Sequence, residues 1–155
     1  MLEVGNGGMN FTEERTHFAL WCLIKAPLLI GCDLTKASNQ SLGIMKAELL
    51  IKVNQDSLGN QATCMQDCDT NIPVYKSFQK DEDGYFALVV INWSNYFNRS
   101  TSIDLIKGGV APSMEYMCYY SDLWTGATIG SSRGKVHVDD VPIHGHVALR
   151  VFCKR

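Results

Sequence analysis

The sequence has no surplus of either charge sign: 14 Lys and Arg stand against 16 Asp and Glu, a formal charge of -2 with a pI near 6.0. A chain so balanced has no basic field to hold a phosphate backbone, which argues against a nucleic-acid partner. Long apolar runs are missing too. The longest, Phe18 to Ile24 and then Ala26 to Ile30, is broken by Lys25 and Pro27 and is too short to cross hydrocarbon, so no membrane span is expected. Met1 to Gly8 has neither the basic start nor the apolar stretch of a secretory signal. With 46% hydrophobic, 10% aromatic and 19% charged residues, the chain lacks the bias of a disordered tail, a linker or a coiled coil. Its 155 residues predict one ordinary domain, or one plus a piece of another, with enough material for a core.

Cysteine is present, six times. Cys64 and Cys68 lie in a polar segment at a spacing that closes a small disulfide loop in an oxidising compartment. The same pair begins no zinc finger, because no second Cys/His pair follows at finger spacing. Cys118 and Cys153 fall in separate strands near the end of the chain, and a bridge between them stays open. Cys22 and Cys32 read as inert core thiols. Asn-x-Ser/Thr occurs four times, at Asn10, Asn39, Asn92 and Asn98. About one is expected by chance, and each is a candidate N-glycosylation site. Both features favour a secreted or lysosomal full-length protein whose natural chain does not begin at Met1.

Residues 12 to 26 predict a helix: Thr12 as N-cap, Glu13 and Glu14 in the first turn where the dipole favours acids, and Pro27 as the stop. Its second half is apolar nearly all round, so it is expected to be covered on most sides. Leu28-Leu29-Ile30 reads as a buried parallel strand, and Ser38 or Asn39 caps a second helix through Met45. Helix, buried strand, helix is the order of βα-repeat folds. From residue 57 onward the period changes to two. Strands are predicted at 84–93, 102–106, 114–120, 135–138 and 147–152, separated by turn signals at Asp81–Gly84, Lys107–Gly109, Ser131–Gly134 and His144–Gly145. Strands at this spacing without helices between them give an antiparallel β-sandwich. The fold class is thus α/β followed by all-β, with the boundary near residues 57 to 72.

Glu3, Asp33 and Asp56 are the carboxylates near strand ends, and nothing in the sequence pairs two of them; Asp33 reads as a cap or hydrogen-bond acceptor. His144 and His146 would share a face on a strand, with His137 nearby, but no Cys or carboxylate at ligand spacing joins them, so no metal is expected. Tyr116, Tyr119, Tyr120, Trp93 and Trp124 offer a sugar-stacking platform in principle and read as core and cross-strand packing.

Four blocks, in order, carry a more specific signal. Met1-Leu-Glu-Val-Gly-Asn-Gly-Gly-Met9, Thr16-His-Phe-Ala-Leu-Trp21, Lys25-Ala-Pro-Leu-Leu-Ile-Gly-Cys-Asp-Leu34 and Val53-Asn-Gln-Asp-Ser-Leu-Gly59 closely resemble the α-galactosidases of glycoside hydrolase family 27. Tyr120-Ser-Asp-Leu-Trp-Thr-Gly126 and Val141-Pro-Ile-His-Gly145 are similar to that family's C-terminal antiparallel domain. The resemblance implies a retaining glycosidase on a (β/α)8 TIM barrel with a β-sandwich behind it. Residues 1–56 would then be the last two βα units, 57–71 a connector and 72–155 the C-terminal domain. It also implies that the two Asp residues of the double displacement lie upstream, and that Met1 lines the galactose site. The expected substrate is a galactose-containing oligosaccharide or glycoconjugate, no cofactor is expected, and a homo-oligomer is left open. On this reading the chain is a fragment, inactive by itself. The alternatives are a non-catalytic structural or carbohydrate-binding β-sandwich and, within the enzyme class, an α-N-acetylgalactosaminidase.

Overall fold

A computed structural model describes residues 1–80 and 84–155. The turn expected at Asp81–Gly84 lies, except for Gly84, outside the described residues.

Three helices come first: α1 (Phe11–Leu23), α2 (Asn39–Ile44) and α3 (Glu48–Gln55). The N-cap of α1 is Asn10, not Thr12. Asn10 Oδ1 accepts the Glu13 N–H at 3.1 Å while the Glu13 carboxylate accepts the Asn10 N–H at 2.9 Å, a reciprocal box that satisfies two orphan donors at once. The helix also ends earlier than expected, at Leu23, because Lys25 takes a left-handed φ of 56° before Pro27 can act. Helix α2 starts where expected, with the Ser38 hydroxyl accepting the Ser41 N–H at 3.0 Å. Helix α3 was not anticipated. Ala47 supplies no capping side chain, so its start is silent in the sequence, although Leu50, Val53 and Asn54 are buried at helical spacing.

Leu28–Ile30 forms a single parallel bridge, Leu2 to Ile30, with the Leu2 N–H donating to the Leu29 carbonyl at 2.7 Å. Gly31 permits this approach, since a Cβ there would sit 2.4 Å from the Leu2 carbonyl oxygen. The run was expected to be buried. Instead Leu29 and Ile30 are 60% and 48% exposed, because among the described residues only Leu2 pairs with it.

Among the described residues eight antiparallel strands follow: β1 (Thr63–Gln66), β2 (Val74–Gln79), β3 (Tyr85–Ile91), β4 (Arg99–Asp104), β5 (Met117–Asp122), β6 (Thr128–Ser132), β7 (Lys135–Val141) and β8 (His146–Lys154). Six form one sheet in the order β1-β2-β3-β8-β5-β6, and β4 pairs with β7 in a second. The stretch 57–71 thus contributes an edge strand, β1. Strands β1, β2 and β6 escaped the sequence reading for a shared reason: they carry polar residues on both faces. In β2, Ser77 and Gln79 are buried, and the Gln79 amide donates to the Ser77 hydroxyl at 2.7 Å while its carbonyl accepts from Lys25 Nζ at 2.9 Å.

Strand β3 is covered on both faces. Tyr85, Ala87, Val89 and Ile91 face the helices, in one cluster with Phe18, Cys22, Leu23, Leu50 and Val53. Leu88 and Val90 face the smaller sheet, in a second cluster with Ile103, Leu105, Val136, Val138 and Val141. The architecture is therefore three-layered, with the six-stranded sheet between the helices and the β4–β7 pair. Phe18, on the helix that is apolar nearly all round, is 1% exposed. Replacing it with Ala is expected to cost about 3–5 kcal/mol, read as a lowered denaturant midpoint at unchanged slope. A loss under about 1 kcal/mol would mean that the helices do not share the sheet's core.

Candidate functional site

The short extended end at the Leu2–Ile30 bridge opens into the loop Glu3–Met9, where Gly5, Gly7 and Gly8 all take positive φ. Helix α1 holds this loop. The Gly5 N–H donates to Glu14 Oε1 at 2.8 Å and the Glu3 N–H to His17 Nε2 at 3.1 Å. Glu14 is buried, and its other oxygen accepts the Ser41 hydroxyl at 2.8 Å, which ties α2 to the same carboxylate.

The same helix grips the β-sheet layer through the alternate side chains. His144 Nδ1 meets Glu13 Oε1 at 2.8 Å, and the Thr16 hydroxyl lies 2.9 Å from the His144 carbonyl and 2.9 Å from His146 Nδ1. Trp124 Nε1–H donates to His146 Nε2 at 2.8 Å. An indole nitrogen only donates, so His146 carries its proton on Nδ1, gives it to Thr16, and Thr16 passes its own to a carbonyl. The chain of donors has one consistent direction. His144 sits at a φ of 54°, uncommon for a residue with a Cβ, and is held there from both its carbonyl and its ring. Burial, reinforced by the Arg15 guanidinium, pushes His146 down to about 3. Sequence spacing had singled out His144 and His146 but not their partners; the signal was Glu13 and Thr16, one turn apart on the helix.

Met1 is 70% exposed, at the strand end before the glycine loop. Glu3 accepts the Asn6 amide at 2.8 Å. Asp33 is exposed and accepts from the hydroxyl and N–H of Thr35 at 2.6 and 3.0 Å, which, with Lys36, hold its carboxyl below the ordinary range. Asp56 is buried and caps the turn after α3, accepting the Leu58 and Lys80 N–H groups. These three carboxylates therefore serve three separate local structures. Among the described residues no group of three or more His, Cys, Asp or Glu is placed to hold a metal ion, and no helix is long and apolar enough to cross a membrane.

Cys64 and Cys68 are bonded, and so are Cys118 and Cys153, which stand directly opposite each other on β5 and β8 with Cα atoms 4.0 Å apart. Cys22 is buried and its thiol pushed up to about 12 by burial; Cys32 is half-buried. Of the sequon residues, Asn10, Asn39 and Asn98 are exposed. Asn92 is not: it is fully buried, its amide donates to the Phe97 and Val141 carbonyls, and its oxygen accepts the Ser94 N–H. That sequon is closed in this fold. The aromatic set also divides. Tyr116, Tyr120 and Trp124 are half-buried, but Tyr119 and Trp93 are 42% and 44% exposed. Trp93 was expected on a strand; β3 ends at Ile91, which leaves Trp93 in the loop beyond it.

Residues 1–56 match the family model described as Alpha galactosidase A. Over 151 residues, 96% of the chain, it is 32% identical to a probable α-galactosidase of Dictyostelium discoideum. Over 104 residues it is 42% identical to an α-galactosidase of Oryza sativa subsp. japonica. The chain spans 38% of the first relative's length and 25% of the second's. α-Galactosidase I of Mortierella vinacea superposes over 98% of the chain, and 38% of its own, with a TM-score of 0.88 at 27% identity. A few helices leading into an antiparallel sandwich is the layout of the C-terminal part of such a glycoside hydrolase. The chain belongs to the α-galactosidases of glycoside hydrolase family 27 and corresponds to their C-terminal part.

Two outcomes follow from the geometry. Thiol titration of the denatured, unreduced chain is expected to find two reactive cysteines and to find six after reduction; six before reduction would contradict the pairing. Because His146 binds its proton in the unfolded chain near 6.5 but in the folded one only near 3, stability is fully present above pH 6.5 and falls with pH below it. The slope approaches about 1.4 kcal/mol per pH unit. The difference between wild type and His146→Gln, measured by denaturant melts from pH 7.5 to 4.5, reads it, and a flat difference would contradict it.

Proposed function

We propose that the chain is part of a retaining hydrolase that removes terminal α-linked galactose from oligosaccharides or glycoconjugates. The match of residues 1–56 to the Alpha galactosidase A model, over the run that builds the strand end and its glycine loop, carries the reading. In a (β/α)8 barrel the chemistry sits at the C-terminal ends of the strands. Met1 and the Glu3–Met9 loop stand at such an end, so Met1 becomes a wall of the galactose pocket. The carboxylate that attacks the anomeric carbon and the one that protonates the leaving oxygen are assigned to strands that precede this segment in the relatives. Within this division, 1–56 completes the barrel, 57–71 connects, and 72–155 braces it from behind. Two disulfides and three exposed sequons support a secretory or lysosomal route for the full-length protein.

The reading is tested by two assays with an aryl α-galactoside and an aryl α-N-acetylgalactosaminide. The 155-residue chain is expected to hydrolyse neither. Joined to the part of the Dictyostelium relative that it does not span, it is expected to give a folded enzyme that cleaves the galactoside. A folded chimera that cleaves neither substrate would contradict the proposal, and one that prefers the N-acetylgalactosaminide would move the specificity.

A further inference from the structure

The loop after β3 presents three large rings to solvent: Trp93 is 44% exposed, Tyr96 79% and Phe97 60%. Apolar rings are ordinarily drawn inward, and a cluster left outside marks a surface with work to do. Slackness does not explain it, because the loop is fixed at every step. The Trp93 N–H donates to the Asn71 carbonyl at 2.8 Å, and buried Asn92 holds the Phe97 carbonyl. Buried Ser94 accepts the Tyr96 and Phe97 N–H groups. The Tyr96 and Phe97 rings are 6.0 Å apart, with the Arg99 guanidinium 5.7 Å above Phe97.

Between Trp93 and Asn95 of this loop and α1 lies a cleft of about 550 Å³ lined by Met9, His17, Leu20, Trp93, Asn95 and His144, with Glu13 also on its wall. Its volume falls in the range of small-molecule sites, and its mix of apolar wall with a few polar groups is typical of them. The one carboxylate on its wall is already partnered within the chain. The Glu13 carboxylate is consumed by the Asn10 N–H and by His144. His17, held below its ordinary value by burial, accepts the Glu3 N–H and stays neutral at pH 7. One end of the Asn95 side-chain amide meets His144 Nε2, and the other is left over for a ligand. Among the described residues no Lys or Arg lines the cleft, so an anion or a phosphate backbone finds no fixed cation here. A neutral ligand with an apolar face and hydroxyl groups around its edge finds an aromatic ring, an amide and imidazoles.

We propose that this cleft is a binding site for a neutral saccharide, with a pyranose face laid on Trp93 and its hydroxyls on Asn95, and with the exposed Tyr96 and Phe97 of the same loop meeting further sugar units. The site is built entirely within the chain and requires no hydrolysis, so it stands or falls separately from the galactosidase reading. Gly8 and Met9 line it and belong to the strand-end loop, which makes it continuous with the surface where a glycan would approach the barrel.

The test is a titration of the 155-residue chain with raffinose, followed by tryptophan fluorescence and by amide shifts. Saturable binding is expected, with shifts confined to Met9, residues 93–97 and His144. Trp93→Ala is expected to weaken it about tenfold or more and Tyr96→Ala several-fold; both side chains are exposed, so melting temperature and circular dichroism stay unchanged. Sodium sulfate at equal concentration is not expected to compete. Three results would each overturn the proposal: no saturation up to tens of millimolar raffinose, binding that survives Trp93→Ala, or concentration-dependent dimerisation abolished by Tyr96→Ala, which would make these rings a contact between copies of the chain.

Discussion

The structure depends on one helix gripping in two directions. Successive side chains of α1 alternate between partners: Glu14 and His17 hold the main chain of the strand-end loop, while Glu13 and Thr16 hold the turn and first residue before and in β8. Between these polar contacts Phe18 and Cys22 bury the helix on the six-stranded sheet. A helix held at these points on both sides is fixed about its own axis. The position of the glycine loop is thereby set by the β-sheet layer, through a rigid element roughly 20 Å long at 1.5 Å per residue.

That arrangement gives the β-sheet layer a part in placing the glycine loop. The β-sheet layer supplies a reference surface for α1 and the loop it holds. The donor chain from Trp124 through His146 and Thr16 is satisfied at each nitrogen and oxygen and sits where water is largely excluded, so breaking any member strands a buried polar atom. The Cys118–Cys153 bond locks β5 to β8, the strand that begins with His146, and keeps the reference surface from shearing.

Much of this was legible in the sequence, unevenly. Period-two runs located β3, β5, β7 and β8 because each alternates or is buried outright, and the change of period located the end of the helical part. The β1, β2 and β6 strands were illegible, since polar residues fall on both their faces, and a buried hydrogen-bonded glutamine such as Gln79 of β2 reads as a surface residue. Helix α3 was missed for want of a capping side chain at Ala47. Asp33, read as a cap or hydrogen-bond acceptor, does accept from Thr35 two residues on, in a local turn. The Asn92 sequon shows the opposite limit. Motif arithmetic counts it with the other three, and only the fold shows its amide spent on Phe97 and Val141. Trp93 was assigned to packing because it adjoins a long apolar strand, and the strand stops two residues short of it.

The most direct test is native-state hydrogen exchange on the isolated chain. If α1 couples the strand-end loop to the sheet, the Gly5 amide and the α1 backbone exchange only through the global opening that also exposes β3, and the Thr16→Val variant lowers the protection of Gly5 and of the start of β8 together. Rapid exchange at Gly5 and α1 while β3 stays protected would show two independent parts, and would contradict the account.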